Sequence, residues 1–140
     1  MRILISKSTE DTQKIGLNIA KKIKKKDIIF FIGSLGAGKT VLVQSICKGF
    51  KVKDFVNSPS FKIVNEYKGR FKIYHIDLYR LNSTKEIEEL GLEEYIYGEG
   101  IALIEWADKL GKKNLPEKRI EIKIRIKNEN ERYIKWQRYC

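Results

Sequence analysis

The chain has 140 residues, is 42% hydrophobic and 34% charged, and carries a formal net charge of +11. That length supports one domain, 1–140, with a real core, and is too short for two. No run approaches the ~20 apolar residues of a membrane span, and the opening MRILISKSTEDT turns polar by Ser6 with no signal-peptide core, so a cytoplasmic protein with no membrane association is expected.

The positive charge suits nucleic acid, a membrane surface or an acidic protein partner. Lys and Ile together supply 43 residues, however, and the lysines are spread along the chain without an aromatic-interleaved RNA-binding motif. Compositional bias therefore accounts for much of the charge. Cys47 and Cys140 lack metal-ligand spacing and read as a buried thiol and a terminal one.

Arg2 to Ile5 predicts a first strand. Ser8-Thr9-Glu10-Asp11 predicts a helix start, with capping hydroxyls and acids at the positive end of the dipole. Ile15, Ile19 and Ile23 continue that helix on one face, to an end in Lys24-Lys25-Lys26. Ile28 to Ile32 is apolar without alternation, the pattern of a strand buried on both faces. A glycine-rich loop follows, then a helix from Val41 to Gly49. After the break at Asn57-Ser58-Pro59-Ser60, Phe61–Tyr67 and Phe71–Leu78 predict a hairpin turning at Lys68-Gly69-Arg70.

Glu86 to Tyr97 predicts a helix that Gly91 could bend. Ile101 to Ile104 is a second unalternating buried strand. Arg119 to Lys127 alternates isoleucine with charge, which predicts a half-exposed strand near a sheet edge. Arg132 to Tyr139 predicts the last strand. This order predicts an α/β fold: three layers, of the P-loop NTPase type, with a mixed, mostly parallel central sheet.

The loop Gly33-Ser34-Leu35-Gly36-Ala37-Gly38-Lys39-Thr40 matches G-x-x-x-x-G-K-[ST] in full. Its glycines let the backbone close on phosphates, and the N–H groups of Gly36 to Thr40 would point inward at a helix N-terminus. Lys39 would reach the β- and γ-phosphates, and the Thr40 hydroxyl would bind Mg²⁺. Such a site needs an acid at the end of a neighbouring strand. Glu105 and Asp77 both qualify, Glu105 as the metal-side acid and Asp77 as a catalytic or water-orienting acid. Without an Asn-Lys-x-Asp segment, ATP is the expected nucleotide.

Four segments together, GSLGAGKT (33–40), NSPSF (57–61), HIDLYR (75–80) and IEWAD (104–108), resemble the TsaE (YjeE) family. This is the ATPase component of the bacterial machinery for N6-threonylcarbamoyladenosine (t6A) in tRNAs that read codons starting with A. The resemblance spans nearly the whole chain. It implies work alongside TsaB and TsaD, with tRNA reached indirectly through that complex; TsaD is the transferase, and ATP hydrolysis resets the complex between turnovers.

By the same resemblance Lys39 and Thr40 match the phosphate lysine and magnesium threonine, Glu105 the magnesium-binding glutamate and Asp77 the acid needed for hydrolysis. Trp106 matches an aromatic near the nucleotide, and Thr9 lies close to the adenosine. Arg132 is matched more loosely, as a C-terminal nucleotide contact. Ser58, Pro59, Ser60 and Phe61 match a switch-like loop closing over the γ-phosphate. Two departures stand out: Ser34 where the family often has Asp, and Ser60 where it usually has Thr.

Other readings share these residues. His75 suits a structural or hydrogen-bonding role more than catalysis, and Arg80 suits either an arginine finger or a salt bridge to the Glu86–Glu89 helix. A small-molecule P-loop kinase would share the loop and the layers, but would need an arginine-rich lid; only seven Arg are present. A nucleotide-dependent RNA-binding module is supported by charge alone.

Overall fold

The structure is a computed structural model, and it describes residues 2–33, 38–54, 56, 63–111 and 114–140. Its elements are β1 (Arg2–Ser6), α1 (Thr9–Ala20), β2 (Ile28–Ile32), α2 (Lys39–Gly49), β3 (Val64–Lys68), β4 (Lys72–Asp77), α3 (Thr84–Glu89), α4 (Glu93–Ile96), β5 (Ile101–Glu105), a 3₁₀ turn (Ala107–Leu110), β6 (Arg119–Ile126) and β7 (Arg132–Tyr139). The strands form one seven-stranded sheet in the order β1-β7-β6-β2-β5-β4-β3. The four central strands, β6, β2, β5 and β4, run parallel; β7 and β3 flank them antiparallel, and β1, paired antiparallel with β7, points the same way as the central four. This is the mixed α/β sheet the element order predicts.

Each face of the sheet has its own core. Ile29 and Phe31 of β2, Leu103 of β5 and Ile120, Ile122 and Ile124 of β6 pack with Ile15 and Ile19 of α1 and Leu42 and Ile46 of α2. On the opposite face Ile28, Phe30, Ile76, Ala102 and Ile104 pack with Ile87 of α3, Ile96 of α4 and Leu110 of the 3₁₀ turn. β2 and β5 have to serve both cores, which is why neither alternates. α1 and α2 approach so closely that a Cβ on Gly16 would lie 2.5 Å from the Ser45 Cβ. Any larger residue at 16 would push the P-loop helix off the sheet.

Three expectations need correction. α1 ends at Ala20, not in the lysine run. Asp27 instead closes a turn across that run, its carboxylate and backbone N–H both bonded to Lys24, and the turn delivers the chain into β2. The helix expected over 86–97 is two, separated where Gly91 takes φ 63°. β6 is not at an edge but lies between β7 and β2. Its alternation records one covered face: Ile120, Ile122 and Ile124 are buried, while Lys123 and Arg125 are exposed.

Candidate active site

β2 delivers the chain into the glycine-rich loop, and α2 begins at Lys39. Gly38 caps that helix with φ 99°, a left-handed conformation that favours glycine. Gly38, Lys39 and Thr40 thus stand at a helix N-terminus, where backbone N–H groups and the dipole favour an anion. Leu35, Gly36 and Ala37, together with Ser34, lie outside the described residues. So do Ser58, Pro59, Ser60 and Phe61 of the expected switch loop.

Lys39 is 6% exposed, and among the described residues its Nζ has no hydrogen-bond partner. The ammonium lies 4.0 Å from the centroid of the Trp106 ring, within cation–π range. Burial holds its pKa below the usual lysine range, against the upward pull of Glu105, Asp77 and Asp108. A buried cation without a hydrogen-bond partner is costly. It belongs in a site that awaits negative charge.

The two acids end adjacent parallel strands. Asp77 closes β4, Glu105 closes β5, and the two residues are register partners. Glu105 is also the register partner of Phe31 in β2, one residue before that strand's end. Glu105 is 3% exposed, and its Oε2 lies 2.7 Å from His75 Nε2. Behind it the Tyr67 hydroxyl is 3.4 Å from His75 Nδ1. Asp77 is half-buried; Oδ1 accepts a hydrogen bond from the Tyr79 N–H at 3.0 Å. Desolvation raises its carboxyl above the ordinary range and Glu105 adds to this, opposed by the Tyr79 N–H, His75 and Lys39.

Trp106 follows Glu105 directly and takes φ 60°, φ-positive and uncommon for a bulky residue. That turn sets its ring against Lys39, and Tyr79 packs on it with centroids 5.1 Å apart. Lys109 binds the Tyr79 and Leu81 carbonyl oxygens and so braces this corner. Sequence reasoning gave no role to Tyr67, Tyr79, Asp108 and Lys109; Tyr79 and Asp108 stand inside the HIDLYR and IEWAD segments, Tyr67 and Lys109 in neither, and only the fold brings them close. Arg80 is exposed and, among the described residues, pairs with no carboxylate, so the salt bridge to the Glu86–Glu89 helix is absent there.

Thr9 and Arg132 converge on one cavity of about 290 Å³, lined also by Ser6, Thr12, Gly38 and Val41. The Arg132 guanidinium is held by the carbonyl oxygens of Asn128 and Glu131 in the β6–β7 turn. Gly38 links this cavity to the phosphate loop. Thr40 is exposed at the start of α2.

Residues 6–134 match the family model described as "Threonylcarbamoyl adenosine biosynthesis protein TsaE". The chain is 32% identical over 130 residues to the "tRNA threonylcarbamoyladenosine biosynthesis protein TsaE" of Treponema pallidum, covering 93% of this chain and 96% of that one. It is 39% identical over 126 residues to the protein of that name from Bacillus subtilis, covering 89% and 78%. The crystal structure of Bacillus subtilis YdiB superposes with a TM-score of 0.81 at 30% identity, covering 99% of this chain and 86% of that one. A seven-stranded sheet with a P-loop helix, matched in sequence and in fold over almost its whole length, places this chain in the TsaE family.

Proposed function

We propose that this chain is the ATP-binding and hydrolysing subunit for t6A formation in tRNA, supporting turnover of a TsaB–TsaD transferase complex. The family and the P-loop fold carry an ATPase-type role. The observation that carries the site is the Lys39 ammonium, buried at the start of α2 with no hydrogen-bond partner among the described residues. Polyphosphate oxygens supply what that cation lacks.

Lys39 takes the β- and γ-phosphates, beside the N–H groups of the loop 33–40. Thr9, Gly38 and Arg132 line the cavity for the nucleoside, and Trp106 closes the phosphate side. Thr40 and Glu105 are the residues that would hold magnesium. Their oxygens are the hard donors this ion prefers, and among the described residues no cluster of three His, Cys, Asp or Glu forms a self-sufficient metal cage. That suits an ion carried largely by the nucleotide's own phosphates. When bound, magnesium would neutralise charge on those phosphates.

Asp77 lies beside Glu105 at the strand ends and is held by the Tyr79 N–H. Its raised pKa suits a group that orients water and accepts a proton. Loop 58–61 is the proposed switch over the γ-phosphate. The partners are TsaB and TsaD, and tRNA is reached through them. No helix among the described residues is long and apolar enough to cross a membrane, which is compatible with work in the cytoplasm.

Phosphate release should be measured with and without TsaB–TsaD, and with and without magnesium. Slow magnesium-dependent hydrolysis alone, rising with the complex, is expected. Equal turnover without the complex would count against the reading, and phosphate appearing on a metabolite would favour the kinase.

A further inference from the structure

Lys39 feels the pull of three carboxylates, yet its Nζ is bonded to none of them. An unpaired buried ammonium beside an acid is unstable towards collapse into an ion pair, because each charge would otherwise stay desolvated alone. Something must hold the acids back. Asp77 is engaged by the Tyr79 N–H. Glu105 is engaged by His75, with Nε2 to Oε2 at 2.7 Å between side chains 2% and 5% exposed.

The register shows the direction of that hold. Glu105 is paired with Asp77, and His75 is paired with Leu103, one diagonal step back along the same face of the parallel strands. His75 therefore draws the Glu105 carboxylate back along the sheet, away from the strand ends beyond which the P-loop helix starts. A carboxylate only accepts hydrogen bonds, so Nε2 must carry the proton. Nδ1 then faces the Tyr67 hydroxyl, which can donate to it.

We propose that His75 is a positioning residue that holds Glu105 off Lys39, keeping the phosphate lysine unpaired until a nucleotide's phosphates reach it. This rests on the reading of Lys39 as the phosphate lysine. It gives the buried imidazole a task in nucleotide affinity, separate from any part in hydrolysis.

The test is ATP binding by titration calorimetry in excess EDTA, so that no metal contributes. His75→Leu frees Glu105 to pair with Lys39, and affinity should fall about tenfold. Adding Glu105→Gln removes the competing charge, so His75→Leu/Glu105→Gln should recover to within about twofold of Glu105→Gln alone. A purely structural role for His75 would not be rescued in this way. Wild-type affinity in His75→Leu, or a double variant no tighter than His75→Leu, would overturn the proposal.

His75→Gln, which keeps an N–H donor where Nε2 stands, decides the matter even where His75→Leu does not fold. It should hold ATP affinity within about threefold of wild type, because Glu105 is still drawn back. A loss of about tenfold in that variant would sink the idea. Failure of the wild type to bind ATP would instead break the nucleotide reading itself. The positioning role is then judged by nitrogen-15 NMR of the sole imidazole: a proton on Nε2 supports it, and a bare Nε2 overturns it.

Discussion

The layer between α2 and the sheet has two halves built on opposite principles. Toward the N-terminal ends of β4 and β5 it is filled by Ile73, Ile101 and Leu103, which meet Ile46, Cys47 and Phe50; all are at most 1% exposed. Toward the C-terminal ends, the same strands and the same helix supply His75, Glu105 and Lys39, again at most 6% exposed. Burial is alike and the chemistry is opposite. The apolar half gains from exclusion of water, and the polar half is penalised by it. Stability is therefore concentrated in one half and nucleotide chemistry in the other, on shared strands.

Substitutions that move one property and leave the other would sharpen that division. The largest effect is expected from Leu103→Ala, which opens a cavity in the apolar half and should cost about 3–4 kcal/mol by urea unfolding. ATP affinity, measured where the variant is still folded, should stay within about twofold of wild type. A larger drop in affinity would show that the halves are mechanically coupled.

Lys39→Met comes next, with the signs reversed. It should weaken ATP binding by about 100-fold, since a charge-assisted contact to phosphate is lost. It should also raise the melting temperature, because a desolvated ammonium with no hydrogen-bond partner among the described residues is replaced by an apolar chain of similar length. A lower melting temperature would show that the contact with Trp106 outweighs the burial penalty.

Asp77→Asn is a milder version of the same trade. Desolvation raises the Asp77 pKa, so the folded state binds protons more readily than the unfolded chain. Stability must then fall as pH rises from the unfolded value of 3.8 through the raised folded one. Asparagine keeps an acceptor for the Tyr79 N–H and removes that dependence. Because Asp77 is only half-buried, solvent screening limits the gain at neutral pH to about 1–3 °C in melting temperature. Hydrolysis should fall far more than nucleotide binding; an unchanged hydrolysis rate would remove Asp77 from the mechanism.

The sequence reveals the elements that carry chemistry better than it reveals their surroundings. Unbroken apolar runs at 28–32 and 101–104 mark the two strands buried on both faces, and a glycine-rich loop after the first marks the phosphate end. Asp77 and Glu105 are legible because each closes a strand. The Ser8 cap is legible too, its Oγ accepting from the Asp11 N–H. The central position of β6 is not legible, since one-sided burial and edge exposure leave the same alternation. Nor is the contact of Trp106 with Lys39, which depends on a single positive φ. Tyr67 and His75 meet only because a hairpin sets β3 against β4, and no local pattern announces a hydrogen bond between neighbouring strands.

The smallest effect needs no change at the site. Cys47 and Lys39 lie on the same helix, and desolvation shifts both away from their charged forms. For the Cys47 thiol the shift is upward, to about 12 from 9.0, with no neighbouring charge opposing it. The folded chain therefore holds the thiol proton where the unfolded chain releases it. Below pH 9 both states are protonated and stability is indifferent to this group; between 9 and about 12 unfolding releases a proton, and stability falls as pH rises. Cys47→Ala should abolish that part of the alkaline slope while leaving the neutral-pH profile of ATP binding unchanged. With a thiol reagent at pH 8, exposed Cys140 should react at once and Cys47 only at the rate of unfolding. Fast labelling of Cys47 in the native protein would mean that the apolar half opens on its own, and that α2 is less firmly seated on the sheet than the polar half requires.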